Sequence, residues 1–175
     1  GTPLSKDKLC MKPVEPLAID FVGCTFDPGG VGIDDASVKF ENADSRGQAT
    51  GVAFTGCTWN GETTNRQAIS DYGSTSALGS VNTLRVVSCA MSSFVGAPVH
   101  LGNARHVLIE STVIKDYNNK NWYTGDEACA VYLGENVTSA RISGIHGGGC
   151  YGRPAIVRQD GVRSAQPPSA RILVQ

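Results

Sequence analysis

A nine-residue pattern returns along this chain, and a repeat of that kind limits the fold more than composition can. Residues 19–27 (IDFVGCTFD), 52–60 (VAFTGCTWN), 84–92 (LRVVSCAMS), 107–115 (VLIESTVIK) and 140–148 (ARISGIHGG) align without gaps, and 170–175 (ARILVQ) opens the same way. One apolar column runs through Phe21, Phe54, Val86, Ile109, Ile142 and Ile172, at intervals of 33, 32, 23, 33 and 30 residues. A second, shorter motif lies between these and aligns Val38, Ile69, Val99, Val131 and Ile156, at intervals of 31, 30, 32 and 25 residues. Two independent apolar motifs that keep step over five repeats point to a solenoid, in which each repeat buries its apolar face only by stacking on its neighbours.

The chemistry of the columns gives each repeat its shape. In the long motif apolar residues alternate with Asp20, Ala53, Arg85, Leu108 and Arg141, and then with Val22, Thr55, Val87, Glu110 and Ser143. That is the period-two pattern of a strand with one buried face. The alternation slips by one at a small residue (Gly23, Gly56, Ser88, Ser111, Gly144), where a bend is expected. A new strand then starts with Cys24, Cys57, Cys89, Thr112 or Ile145 pointing in, followed by Phe26, Trp59, Met91, Ile114 or Gly147. Each repeat therefore supplies a strand, a sharp bend, a strand, a variable loop, a third strand and another loop.

Stacked columns of this kind, together with the asparagine turn in 101–114 (LGNARHVLIESTVI), resemble the right-handed parallel β-helix of the pectate-lyase-like superfamily. The resemblance covers residues 19–175 and implies an all-β solenoid of about five to six short coils, roughly 25–30 Å tall at ~4.8 Å per coil. Residues 1–18 hold three prolines and mixed charge and are expected to form a linker or an irregular first strand.

Composition narrows the partners. Fifteen basic residues against sixteen acidic ones give a formal net charge of −1, with no Lys/Arg run, so no nucleic-acid partner is expected. No apolar run approaches the roughly 18 residues of a spanning helix, so no membrane insertion is expected, and the N-terminus lacks a signal peptide's apolar segment. The six cysteines show no CxxC spacing and the three histidines do not cluster, so neither a metal nor a cofactor is expected. Cys24, Cys57 and Cys89 are expected to be reduced and buried, because in-register parallel strands hold Cβ atoms about 4.8 Å apart where a disulfide favours ~3.8 Å.

Function on a filled solenoid lies on outward columns and in loops. The outward positions of the short motif are Lys39, Ser70, His100 and Tyr132, a row of hydrogen-bonding and aromatic groups suited to a sugar chain laid across coils. The loop 115–128 carries Tyr117, Trp122 and Tyr123 beside Asp126 and Glu127; flat aromatic faces suit sugar rings and carboxylates suit hydroxyls. Glycoside hydrolysis needs two carboxylates, and the candidates are Asp34, Asp35, Glu62, Asp126 and Glu127, with Asp71 and Glu110 as further acids. Asp34 and Asp35 open the run 34–40 (DDASVKF), similar to the paired-aspartate element of polygalacturonase-type members. The other elements of that pattern are absent, and 144–149 (GIHGGG) resembles one of them only loosely.

Short irregular coils, unpaired cysteines and no signal segment resemble bacteriophage tailspike and tail-fibre proteins. That resemblance implies a homotrimer in the virion tail, assembled in the host cytoplasm, that binds and in some cases cleaves bacterial surface polysaccharide. Two alternatives stand beside it: a secreted β-helix polysaccharide lyase, hydrolase or epimerase, and a non-catalytic structural or trimerisation module.

Overall fold

The computed structural model describes residues 9–11, 18–26, 36–40, 49–62, 67–71, 81–118, 129–134, 137–148, 155–159 and 171–174. Every regular element among them is a strand. After β1 (Leu9–Met11) the chain runs through triplets: β2 (Ala18–Val22), β3 (Thr25–Phe26) and β4 (Ala36–Phe40); β5 (Ala49–Thr55), β6 (Thr58–Asn60) and β7 (Gln67–Ser70); β8 (Val81–Val87), β9 (Ala90–Ser92) and β10 (Val99–Leu101). Then come β11 (His106–Glu110), β12 (Val113–Lys115) and β13 (Cys129–Leu133), and β14 (Ser139–Ser143), β15 (His146–Gly148) and β16 (Ala155–Gln159), with β17 (Arg171–Val174) last.

Corresponding members of successive triplets pair in parallel, which gives three sheets: β1-β4-β7-β10-β13-β16, β2-β5-β8-β11-β14-β17 and β3-β6-β9-β12-β15. Parallel strands need a long crossover between them, and here the rest of each repeat is that crossover. The register follows the sequence columns. Phe21 pairs with Phe54, Phe54 with Val86, Val86 with Ile109 and Ile109 with Ile142. Two assignments at the C-terminal end are corrected. Val157, not Ile156, lies opposite Val131, and Val174, not Ile172, lies opposite Ile142.

The core runs along the stack. Phe54, Val86, Ile109 and Ile142 from the second sheet meet Trp59, Met91 and Ile114 from the third and Val38, Ile69, Val99 and Val131 from the first, all buried. Aromatic rings line up between neighbouring repeats: Phe21 stacks on Phe54 at 4.9 Å and Phe26 on Trp59 at 4.7 Å, each pair within 8° of parallel. Edge-on contacts between Phe54 and Trp59 at 5.2 Å tie the two stacks together.

The bend between the second and third sheets has one cause in every repeat. Gly23, Gly56, Ser88, Ser111 and Gly144 all take a left-handed conformation, with φ of 61°, 62°, 52°, 49° and 60°. Their amides remain in the inter-repeat ladder: Gly23 N–H donates to the Thr55 carbonyl at 2.9 Å and Gly56 N–H to the Val87 carbonyl at 3.0 Å. A single left-handed residue thus turns the chain without leaving a backbone donor unpaired.

Just inside that corner, the column Cys24, Cys57, Cys89 and Thr112 repeats one arrangement. Cys57 Sγ donates to the Phe21 carbonyl at 3.4 Å, Cys89 Sγ to the Phe54 carbonyl at 3.4 Å, and Thr112 Oγ1 to the Val86 carbonyl at 3.4 Å. Each also reaches the carbonyl two residues earlier in its own chain segment, at 3.6, 3.3 and 3.0 Å. Cys24, Cys57 and Cys89 are free thiols, as their spacing requires. Cys57 and Cys89 are buried, whereas Cys24 is half-exposed, so full burial of all three does not hold.

Candidate functional site

The first sheet differs from the second in how it is covered. Along β8 and β14 buried residues alternate with exposed or half-exposed ones, but β4, β7, β10 and β13 are buried or half-buried at every position. Ser37, Ala68 and Ala130 point away from the Val38, Ile69 and Val131 column and are nevertheless buried. Both faces of this sheet are therefore covered, as is usual for parallel sheets.

The predicted outward row forms on this sheet. Lys39 pairs with Ser70, Ser70 with His100, and His100 with Tyr132, one residue per repeat in continuous register. The His100 and Tyr132 rings meet at a centroid distance of 4.5 Å with a 39° tilt. The row is not an open solvated strip. His100 is only 6% exposed and Ser70 is buried, while Lys39 and Tyr132, at the two ends, keep partial access to solvent.

Next to His100 lies a feature that the sequence pattern conceals. Asp71 follows Ser70, which pairs with Lys39 and His100, and so takes the position that Phe40, Leu101 and Leu133 fill in other repeats; it is completely buried. Its carboxylate accepts hydrogen bonds from Gly102 N–H at 2.5 Å and Asn103 N–H at 2.7 Å, while its own N–H donates to the His100 carbonyl at 3.2 Å. A carboxylate can leave water at tolerable cost when backbone donors saturate it. Asp71 thus fixes the turn that follows His100 and does not present an acid to solvent. Gly134 packs over the same turn, where an added Cβ would lie 2.7 Å from Gly102 Cα.

The other candidate residues are scattered. Tyr117, grouped with the exposed aromatics, is 1% exposed and belongs to the core cluster with Phe94. A left-handed Asp116 (φ 54°) turns the chain there and aims the ring inward. Glu62 is exposed in a turn at φ 47°, where its N–H donates to Asn60 Oδ1 at 3.1 Å. Glu110 lies on the second sheet with Oε1 3.8 Å from Arg141 Nε. Asp34, Asp35, Trp122, Tyr123, Asp126 and Glu127 lie outside the described residues.

Among the described residues, no cluster of three or more His, Cys, Asp or Glu side chains could hold a metal ion. No described helix is long and apolar enough to cross a membrane. The row brings a ring pair and hydrogen-bonding groups into register beside a buried carboxylate. Comparison with protein-family models, with curated proteins and with solved structures finds no match. The functional reading therefore rests on the chain's own geometry.

Proposed function

We propose that the chain is a right-handed parallel β-helix of tailspike type that binds a bacterial surface polysaccharide as a homotrimer in a virion tail. The observation that carries the reading is the row Lys39, Ser70, His100 and Tyr132, which the register repeats once per coil on one sheet. A polysaccharide is itself a repeating chain, and the two accessible ends of the row, Lys39 and Tyr132, offer it a cation and the face of a phenol ring. Tyr132 and Lys39 are the accessible members, so they make first contact. In sequence, the loop 115–128, with Trp122 and Tyr123, leads directly into the strand that carries Tyr132. Binding is the activity proposed; cleavage by a pair drawn from Asp34, Asp35, Glu62, Asp126 and Glu127 would be a further activity.

One observation favours a second reading, a non-catalytic trimerisation module. Val22, 71% exposed, and Val113, 39% exposed, flank the corner between the second and third sheets, and lateral association would cover them. One experiment separates the two readings. The chain is screened on an array of bacterial capsular and O-antigen polysaccharides alongside Tyr132→Ala and Lys39→Ala, and each sample is sedimented in parallel. Binding that Tyr132→Ala weakens about tenfold, at unchanged mass, supports the first reading, since an aromatic contact contributes on the order of 1 kcal/mol. A trimer that captures no polysaccharide supports the second.

A further inference from the structure

The outward face of the second sheet carries a charge pattern that the proposed row on the first sheet does not use. Arg85, Leu108 and Arg141 stand in one line on β8, β11 and β14, with Thr83, His106 and Ser139 in the line beside them. Arg85, Arg141 and His106 are exposed, and Leu108 between the arginines is half-buried. His106 Nδ1 lies 2.8 Å from Ser139 Oγ. Parallel strands are spaced by about 4.8 Å, so the two guanidinium groups spring from positions roughly 9.5 Å apart, with an aliphatic side chain midway. Among the described residues of β8, β11 and β14, Glu110 is the only acid. Its 3.8 Å approach to the 59%-exposed Arg141 is a long, solvated pairing of the kind that holds a side chain only weakly.

We propose that this face binds an acidic polysaccharide laid along the stacking axis, with carboxylates on alternate sugars meeting Arg85 and Arg141. A pyranose in an extended glycan is about as long as one coil is tall, so a chain on this axis advances by one sugar per coil. A carboxylate on every second sugar then recurs at the arginine spacing. The guanidinium fork matches a carboxylate in a bidentate manner, which a lysine would not do. Leu108 supports the uncharged sugar between them, and His106 and Ser139 supply hydrogen-bonding groups beside it. A second copy of the chain fits less well. Among the described residues of its equivalent face the acids are Asp20, in the arginine line but two strands beyond Arg85, and Glu110, in another column, so that line carries one acid for two arginines. The inference shares its ligand class with the reading above but stands on another sheet, so the two can fail separately.

The test titrates the full chain with hyaluronan oligosaccharides, which carry a carboxylate on every second sugar, and with neutral dextran. The expected result is binding to hyaluronan and not to dextran, weakened by added salt. Arg85→Ala and Arg141→Ala should each lose about fivefold in affinity. Glu110→Gln should gain about twofold, because it frees Arg141. All these residues are at least partly exposed, so melting temperatures should be unchanged. The proposal is overturned if hyaluronan does not bind, if dextran binds equally, or if the arginine variants bind as well as the parent chain. It is also overturned if the arginine variants change the sedimenting mass, which would assign the face to a second copy. Hyaluronan binding lost in Tyr132→Ala but kept in the arginine variants would overturn this inference and leave the first-sheet reading intact.

Discussion

Cys57, Cys89 and Thr112 hold one position in three successive repeats, and each brings its single γ-atom donor within reach of the same two corner carbonyls. The sequence column exposed the stacking and the impossibility of a disulfide, because both follow from strand spacing. It hid the donor role, which only the carbonyl geometry reveals, although the substitution of Thr for Cys was a usable clue: both carry a hydrogen donor on the γ atom. Burial pushes the Cys57 and Cys89 thiols above their ordinary value of 9.0, and hydrogen bonds from the backbone only partly oppose it. A thiol whose folded value is raised gives up its proton later than in the unfolded chain. Its contribution to stability is whole below pH 9.0 and is lost as pH rises through the raised values. Denaturant midpoints should therefore fall on the alkaline side of pH 9, and the double variant Cys57→Thr, Cys89→Thr should flatten that fall. An equal alkaline loss in the double variant would place the titrating groups elsewhere.

Among the elements, the corner is where local conformation decides the stack. Nothing lies within 4 Å of a Cβ built on Gly56, so a side chain there meets no obstacle and suffers only from the left-handed backbone. Gly56→Val should then destabilise by about 1–2 kcal/mol, while Ser88→Gly, which relieves the same conformation, should stabilise by up to about 1 kcal/mol. Thermal unfolding of the two variants checks both signs; a Gly56→Val variant as stable as the parent would remove the corner from the account. The sequence pattern located these corners because each breaks the period-two alternation at a small residue. It misplaced the register of the last repeats for a related reason. Ile156 and Val157 are both apolar on a sheet covered on both faces, so alternation no longer marks which residue points inward. In sequence Asp71 reads only as a candidate acid, because a carboxylate in an apolar column looks like a break in the pattern; that it staples the next turn shows only in the backbone geometry.

For the whole molecule, the three-strand repeat and the parallel stack were legible because apolar columns survive any loop length between them. The burial of both faces of the first sheet was not legible, since no apolar column marks its outward side. His100 and Ser70 are accordingly buried in a row expected to be open, and Tyr117, turned inward after Asp116, joins the core although its neighbours in sequence are polar. Both proposed binding faces depend on one claim: that residues in a sequence column lie side by side on adjacent parallel strands. Interstrand nuclear Overhauser contacts in an isotope-labelled sample test it directly. The account predicts the staggered amide-to-Hα contacts of parallel strands linking Phe54 to Val86, Val86 to Ile109 and Ile109 to Ile142. Close Hα-to-Hα contacts between any of these strands would show antiparallel neighbours and contradict it.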